Sequence, residues 1–270
     1  MKTLLICHHD EPVNRIGVAR WLASFSELAG IVEIREPARR TWRRIRREAQ
    51  RVGPLRFLDV LAFRAYERLL LAGGNHAWQA AALERLCDAY APAQPAPPVL
   101  ATPSPNSPEA AAFIRRCAPD LVLARCKTLL SEEIFALAPR GTFVLHPGIC
   151  PEYRNAHGCF WALASDDLSK VGATLLRVDA GVDTGPVYGY FTYPYDEVAE
   201  SPFVIQHRVV LENLGAIARQ LVDVGAGLAA ALDTSRRASA TWGQPWLTTY
   251  LRWKHRARRR RRESACATVS

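Results

Sequence analysis

The opening of the chain restricts its fold more than any other segment does. Residues 2–7 (KTLLIC) form the short apolar run of a fully buried strand. A helical apolar pattern runs from Val18 to Leu28, and residues 31–35 (IVEIR) alternate as a second strand. Strand, helix and strand in that order favour a parallel sheet, because parallel neighbours need a crossover and a helix supplies it. No G-x-G-x-x-G follows the first strand, so the dinucleotide fingerprint is missing. A chain of 270 residues is one large domain, or one domain with an appendage. With 49% apolar and 23% charged residues it cannot be mostly disordered.

The same opening argues against a signal peptide, since the apolar run meets His8, His9, Asp10 and Glu11 at once. No window approaches the roughly 18 apolar residues of a membrane span. The seven cysteines are odd in number and show no CxxC pair, which fits buried thiols in a reducing, cytoplasmic setting.

Further along, residues 41–73 carry an apolar helical pattern interrupted at Gly53-Pro54, and another runs from Trp78 to Tyr90. Together they read as a helical insertion, about 40–90, in an α/β core. Ser107 is a candidate N-cap with Pro108 at the first helical position. Strands are expected at 99–101, 121–124, 141–145, 172–178 and 187–192, and a last helix at about 202–224. The division that results is an α/β domain over 1–200, a helical extension over 201–255 and a basic, disordered tail over 256–270.

Charge is distributed unevenly. Residues 252–262 hold eight Lys or Arg and no acid, so the net +9 falls to +1 without them. Residues 39–56 hold eight arginines against Glu48 alone, which leaves the rest of the chain at −6. Basicity therefore belongs to two local surfaces on a mildly acidic body. A nucleic acid or an anionic membrane could meet such a tail, but a solvated end is the simpler expectation.

The strand over 141–145 delivers His146 at its carboxyl end, where ligand crevices lie in open α/β sheets. Asp179 and Asp183 sit in a glycine-rich loop after another strand. A His and an Asp at one sheet edge suit general acid–base work. His8 to Glu11 follow the first strand and suit either acceptor contact or a polar turn.

Residues 141–186 together resemble the core of the folate-dependent formyltransferases, whose pattern is roughly N-x-H-x-S-x-L-P-x-Y-R-G, an apolar helix, G-x-T-x-H and D-x-G-x-I. His146 matches the family histidine, and Pro151, Tyr153 and Arg154 match P-x-Y-R. Gly172 and Thr174 match G-x-T, and Asp183 matches the catalytic aspartate. Upstream, PDLVLARCKTLLSEEIFAL resembles the family's strand and folate loop. The resemblance implies a Rossmann-like formyltransferase domain that moves a formyl group from 10-formyltetrahydrofolate to an amine, without a metal. It implies folate contacts from Lys127, Leu129, Leu130 and Ser131, with the loop holding Asp179 and Val182 closing over the far side. Arg125 and Lys127 are unusually polar for that loop and suit either the glutamate tail of the cofactor or solvent.

One departure affects the chemistry. The family's catalytic asparagine, two residues before the histidine, is Val144 here. Losing one oxyanion donor typically costs about 3 kcal/mol. Asn155 and His157 lie in the neighbouring loop and are the expected replacements. The acceptor is expected to be a small-molecule amine rather than a nucleic acid, because the residues after Thr192 read helical where transformylases of initiator tRNA add a β-barrel. A hydrolase of the same donor and a catalytically weak folate- or anionic-partner-binding member remain the alternatives. The oligomeric state is not legible.

Overall fold

The computed structural model describes residues 1–37, 46 and 48–267. Its centre is a seven-stranded sheet in the order β3-β2-β1-β4-β5-β7-β8. These strands are β1 (Lys2–His8), β2 (Glu27–Ile34), β3 (Val99–Thr102), β4 (Leu121–Arg125), β5 (Thr142–His146), β7 (Ala173–Arg177) and β8 (Val187–Phe191). The first five in spatial order are parallel, and β7 and β8 are antiparallel additions. Strand order reverses between β1 and β4, so a crevice opens beyond their carboxyl ends.

The sheet is buried on both faces, which explains why its strands read as apolar runs rather than alternating ones. On one face Leu4, Ile6, Val32, Val122 and Ala124 pack against α4 (Pro108–Cys117) and α5 (Glu132–Phe135) through Phe113, Ile114 and Ile134. On the other, Leu5, Leu123, Phe143 and Leu145 meet Trp21, Phe63, Phe160, Ile205, Ile217 and Trp253. That second layer comprises α1 (Ala19–Ala23, after a π-turn at Val13–Val18), α2 (Pro54–Tyr66), α3 (Ala72–Ala89), α6 (Gly158–Ala164), α7 (Pro202–Leu211), α8 (Leu214–Ala226) and α9 (Leu247–Ala267). A π-turn at Glu67–Leu71 joins α2 to α3 without a break in the helix.

Several expectations hold. Ser107 caps α4, its hydroxyl accepting from Ala110 N at 3.1 Å, and Pro54 opens α2 after Gly53 at φ +78°. The helices expected over 54–90 are present, although the expected stretch 41–45 lies outside the described residues. Other details differ. The strand β2 begins at Glu27, where helical spacing had suggested a continuing helix, because pairing with β1 starts at Lys2. The helix expected over 202–224 is two helices parted at Glu212 and Asn213.

The largest correction concerns the tail. Residues 256–267 are not disordered; they are the last turns of α9. Trp253 and Ala257 are buried on its inner side. Arg256 Nη2 donates to Ala164 O at 2.5 Å, and Arg260 Nη2 reaches Glu197 at 2.6 Å. Arginines at i and i+4 that find carbonyls and carboxylates on the body hold the helix down, and a charge count along the sequence cannot show that. Residues 201–226 likewise lie in the sheet's own cover, with Ile205, Val209, Ile217 and Leu221 fully buried.

Candidate active site

The site is built from three segments that meet beyond the end of β5. His146 ends that strand, is 6% exposed, and shares its face with Val144 and Thr142, since strand side chains alternate. The loop after it turns tightly at Gly148. A Cβ on Gly148 would stand 2.7 Å from Tyr153 O and 2.8 Å from His146 Nε2, so only glycine allows the loop to close on the imidazole. Thr174, paired with His146 across the sheet, anchors the loop: its hydroxyl donates to Gly148 O at 2.6 Å and accepts from Cys150 N at 3.0 Å.

The imidazole is held at both nitrogens. Nε2 lies 2.8 Å from Tyr153 O, and a carbonyl oxygen can only accept, so Nε2 carries the proton. Nδ1 faces Asp183 Oδ2 at 3.4 Å. Asp183 also accepts from Asn155 N at 2.8 Å, which fixes its carboxylate beside the ring.

Asp183 reaches His146 by a longer route than its position after a strand suggests. Because β7 runs antiparallel, its last residue, Arg177, pairs with Phe143, near the start of β5. The loop over 178–186 must therefore climb back along the sheet to bring Asp183 to the opposite end. Asp179 closes this loop on itself, accepting from Gly181 N at 3.0 Å and Thr184 Oγ1 at 2.7 Å. Val182 O accepts from Arg154 Nη1 at 3.0 Å, tying the loop to the motif tyrosine and arginine. Three of the site residues, Asn155, His157 and Asp183, hold positive φ (77°, 56° and 51°) without being glycine. Such backbone is costly, and it persists where surrounding contacts over-determine it.

Those contacts come from a segment with no chemistry of its own. The two-residue strand β6 (Arg154–Asn155) pairs with β9 (Thr241–Trp242). Trp242 stacks between Tyr153 (5.6 Å) and Trp161 (4.9 Å), and its indole N–H donates to Glu152 O. Arg237 grips Glu152 through two bonds of 2.7 and 2.9 Å. Asn155 Nδ2 donates to Trp242 O at 2.5 Å. The Asn155 side chain thus does not fill the place expected of it as a replacement for Val144. One amide N–H is committed to the buttress, and its backbone N–H reaches Asp183. His157, at the start of α6, is hydrogen-bonded to Gln244, and burial lowers its pKa to about 4. It is a neutral ring throughout the physiological range.

The other wall is formed by the ends of β1 and β4. Arg125 Nη1 donates to Leu145 O at 2.6 Å, one residue from His146, and its Nε donates to Asn14 Oδ1. Asn14 in turn donates to Glu11 at 2.6 Å, and Glu11 pairs with Lys127 at 2.7 Å. Burial pulls the Glu11 carboxyl upward, but Lys127 and Asn14 outweigh it and hold the pKa below the ordinary value. His8 Nε2 accepts from Lys127 N at 3.0 Å, and burial lowers its pKa. Arg125 therefore turns into this network, while Lys127 pairs with Glu11 from the exposed surface. The expected folate loop offers Leu129, 63% exposed, and half-buried Leu130. Its Lys127 amide is taken by His8, and its Ser131 amide by Asn106 Oδ1 at 3.0 Å. No group of three His, Cys, Asp or Glu is placed to hold a metal among the described residues.

Sequence reasoning brought His146 and Asp183 together. It missed Asn14, Tyr153 O and the 237–246 buttress, and it singled out Arg125 without the partners it has here, Asn14 and Leu145 O. Trp242 and Trp246 stand four residues apart in the sequence, but nothing local says what they cover.

The sheet order, the two added antiparallel strands and the crevice define a Rossmann-like formyltransferase fold. Glycinamide ribonucleotide transformylase 1 of Symbiobacterium toebii superposes with a TM-score of 0.53 over 86% of this chain and 94% of that one, at 13% identity. A sugar N-formyltransferase of Shewanella sp. gives 0.52 over 89% and 76%, at 14% identity. At such identity these likenesses concern the fold alone. The sequence model of the family described as Formyl transferase matches residues 74–205. Methionyl-tRNA formyltransferase of Mycobacterium sp. (strain KMS) is 40% identical over 96 residues, 35% of this chain and 31% of that protein. The same enzyme of Sorangium cellulosum is 32% identical over 124 residues, 43% of this chain and 40% of that one. The chain thus matches less than half the length of these relatives.

Proposed function

We propose that the protein transfers a formyl group from 10-formyltetrahydrofolate to the amine of a small-molecule acceptor. The observation that carries this reading is the fixed imidazole. With Nε2–H committed to Tyr153 O, Nδ1 is the nitrogen left to accept a proton, and Asp183 stands beside it to stabilise the imidazolium that results. An attacking amine sheds a proton as it bonds to the formyl carbon, and this pair receives it. The donor brings the formyl group on a ring-bearing nitrogen; the exposed Leu129 and half-buried Leu130 offer it an apolar face. Asp179 and Val182 close the opposite side as loop residues whose polar groups are already engaged within the protein. Lys127 and Ser131 frame the apolar face through their side chains and backbone carbonyls.

Val144 provides no hydrogen bond to the oxygen that gains negative charge. We assign that bond to Arg125, whose guanidinium is anchored on Leu145 O, or to His157, whose ring is kept neutral by burial. Val144 also favours a second reading, a member that binds the donor with little turnover. One assay separates these. Incubation with 10-formyltetrahydrofolate alone, then with amino sugars, amino acids and aminoacyl-tRNA, is followed by tetrahydrofolate release. Release that requires a small amine supports the proposal. Release in water alone indicates a hydrolase, and none in any mixture indicates the binding member.

A further inference from the structure

We propose that the outward side of residues 54–81, within the continuous helix that runs from 54 to 89, docks on an anionic lipid surface, lying in the plane of the headgroups. The inward side of this helix does what a globular protein requires: Val60 and Phe63 are buried and Tyr66 packs on Tyr250. The outward side is also apolar. Leu55 is 82% exposed, Leu58 62%, Leu61 41%, Leu69 79% and Leu70 67%. At about 100° per residue, Leu55, Leu58, Leu61, Ala65 and Leu69 fall in a stripe roughly 120° wide. The same side continues through exposed Gly73, Gly74, Ala77, Ala80 and Ala81. Isolated exposed leucines need no explanation, but a continuous stripe marks a contact surface.

Charge selects the occupant. The exposed ionisable residues of 54–81 are Arg56, Arg68 and His76, and the exposed acids of this helix, Glu84 and Asp88, lie in its last two turns beside Arg85. The two acids within 54–81 are half-buried, and Asp59 is engaged, accepting from Thr248 N at 3.0 Å. The sequence leading into the helix holds the arginine-rich stretch 39–56. Alongside, α9 packs on α2, and its outer residues Arg252, Arg258 and Arg262 are exposed. Over residues 54–71 the exposed leucines stand beside arginines with no exposed acid among them, the composition of a helix that lies in an anionic interface. A second copy fits less well, because a two-fold contact would set the same arginines against each other. Phosphodiester strands would use the arginines and leave the leucines in water. No described helix is long and apolar enough to cross a membrane, so the contact is peripheral.

This proposal does not rest on the formyl-transfer reading, and its test does not measure activity. The full chain is floated with vesicles of phosphatidylcholine alone and with vesicles containing phosphatidylglycerol. Flotation is expected only with the anionic vesicles, and weaker at high salt. Leu58→Glu/Leu69→Glu should reduce it about tenfold or more, since both leucines must enter the acyl boundary. Both are exposed, so an unchanged thermal midpoint is expected and is the folding control; Arg68→Glu gives a second, milder reduction. Absence of flotation on anionic vesicles, or full flotation of the double variant, would overturn the proposal. So would light scattering that shows a dimer converted to monomer by the double variant, or binding of an RNA oligonucleotide without vesicle binding.

Discussion

The two walls of the crevice are held by different forces. On the β1 and β4 side, Lys127, Glu11, Asn14 and Arg125 satisfy one another in a chain of charge-assisted bonds. On the β5 side, the loop bearing His146 and Asn155 is held by backbone pairing and by Trp242 wedged between Tyr153 and Trp161. Opposite charges tolerate small displacements, and packed rings do not. The wall that keeps strained backbone at Asn155, His157 and Asp183 is the one built of packed rings, which is where geometry must be reproduced most closely.

Breaking the reacting pair should have the largest effect. Asp183→Asn and His146→Ala are each expected to lower formyl-group turnover by about 10²–10³ while the fold survives. Activity close to that of the unaltered protein, measured by folate release, would remove these two residues from the mechanism.

The buttress comes next. Trp242→Ala removes an indole stacked on two rings and should cost about 3 kcal/mol in urea unfolding. Turnover should fall in the surviving folded protein because Tyr153 O and Asn155 N shift. If stability drops while turnover per folded molecule is unchanged, the segment is mere packing and the contrast between the walls is wrong.

On the ionic wall, Glu11→Gln leaves Lys127 and Arg125 without their carboxylate. A loss of about 1–2 kcal/mol is expected, diminished by salt as the Lys127 pair is exposed. The corresponding Trp242 loss should be indifferent to salt, and equal salt responses would erase the distinction.

The smallest effect is a difference in pH window. His157 and His207 have folded pKa values lowered to about 4 by burial. Unfolded, each binds a proton near pH 6.5, so the stability they contribute is complete above that pH and lost as pH falls toward 4. Glu11 has a depressed folded pKa, so its contribution is present above the ordinary carboxylate value and lost only below it. Thermal midpoints should therefore start to fall below about pH 6.5, and His157→Gln should flatten that first decline. A midpoint constant down to the carboxylate range would show that both histidines titrate normally.

Much of the site was legible because its signals are local. A strand ending in a histidine, a P-x-Y-R turn and a glycine-rich loop with Asp183 each fit in a dozen residues. Their neighbours were not legible for the reason that Arg125 illustrates: it sits in a loop expected to face the cofactor, and only the approach of β1 and β5 shows it bonded to Asn14 and Leu145 O. The tie of Asn155 to the buttress was not legible because its partner, Trp242, lies 87 residues away.

By itself, the sequence determined the alternation of strand and helix, the buried parallel sheet and the placement of His146 at a strand end. Those follow from apolar periodicity and turn chemistry, which act within a few residues. Tertiary structure alone decided that β7 runs antiparallel and its loop climbs back to deliver Asp183. It also decided that the arginine-rich end is a helix docked on Asp166 and Glu197, and that over residues 55–70 Val60 and Phe63 enter the core while the leucines face solvent. Each of these depends on which distant groups come to share a surface, a matter of packing and pairing over long separations that composition and spacing do not encode.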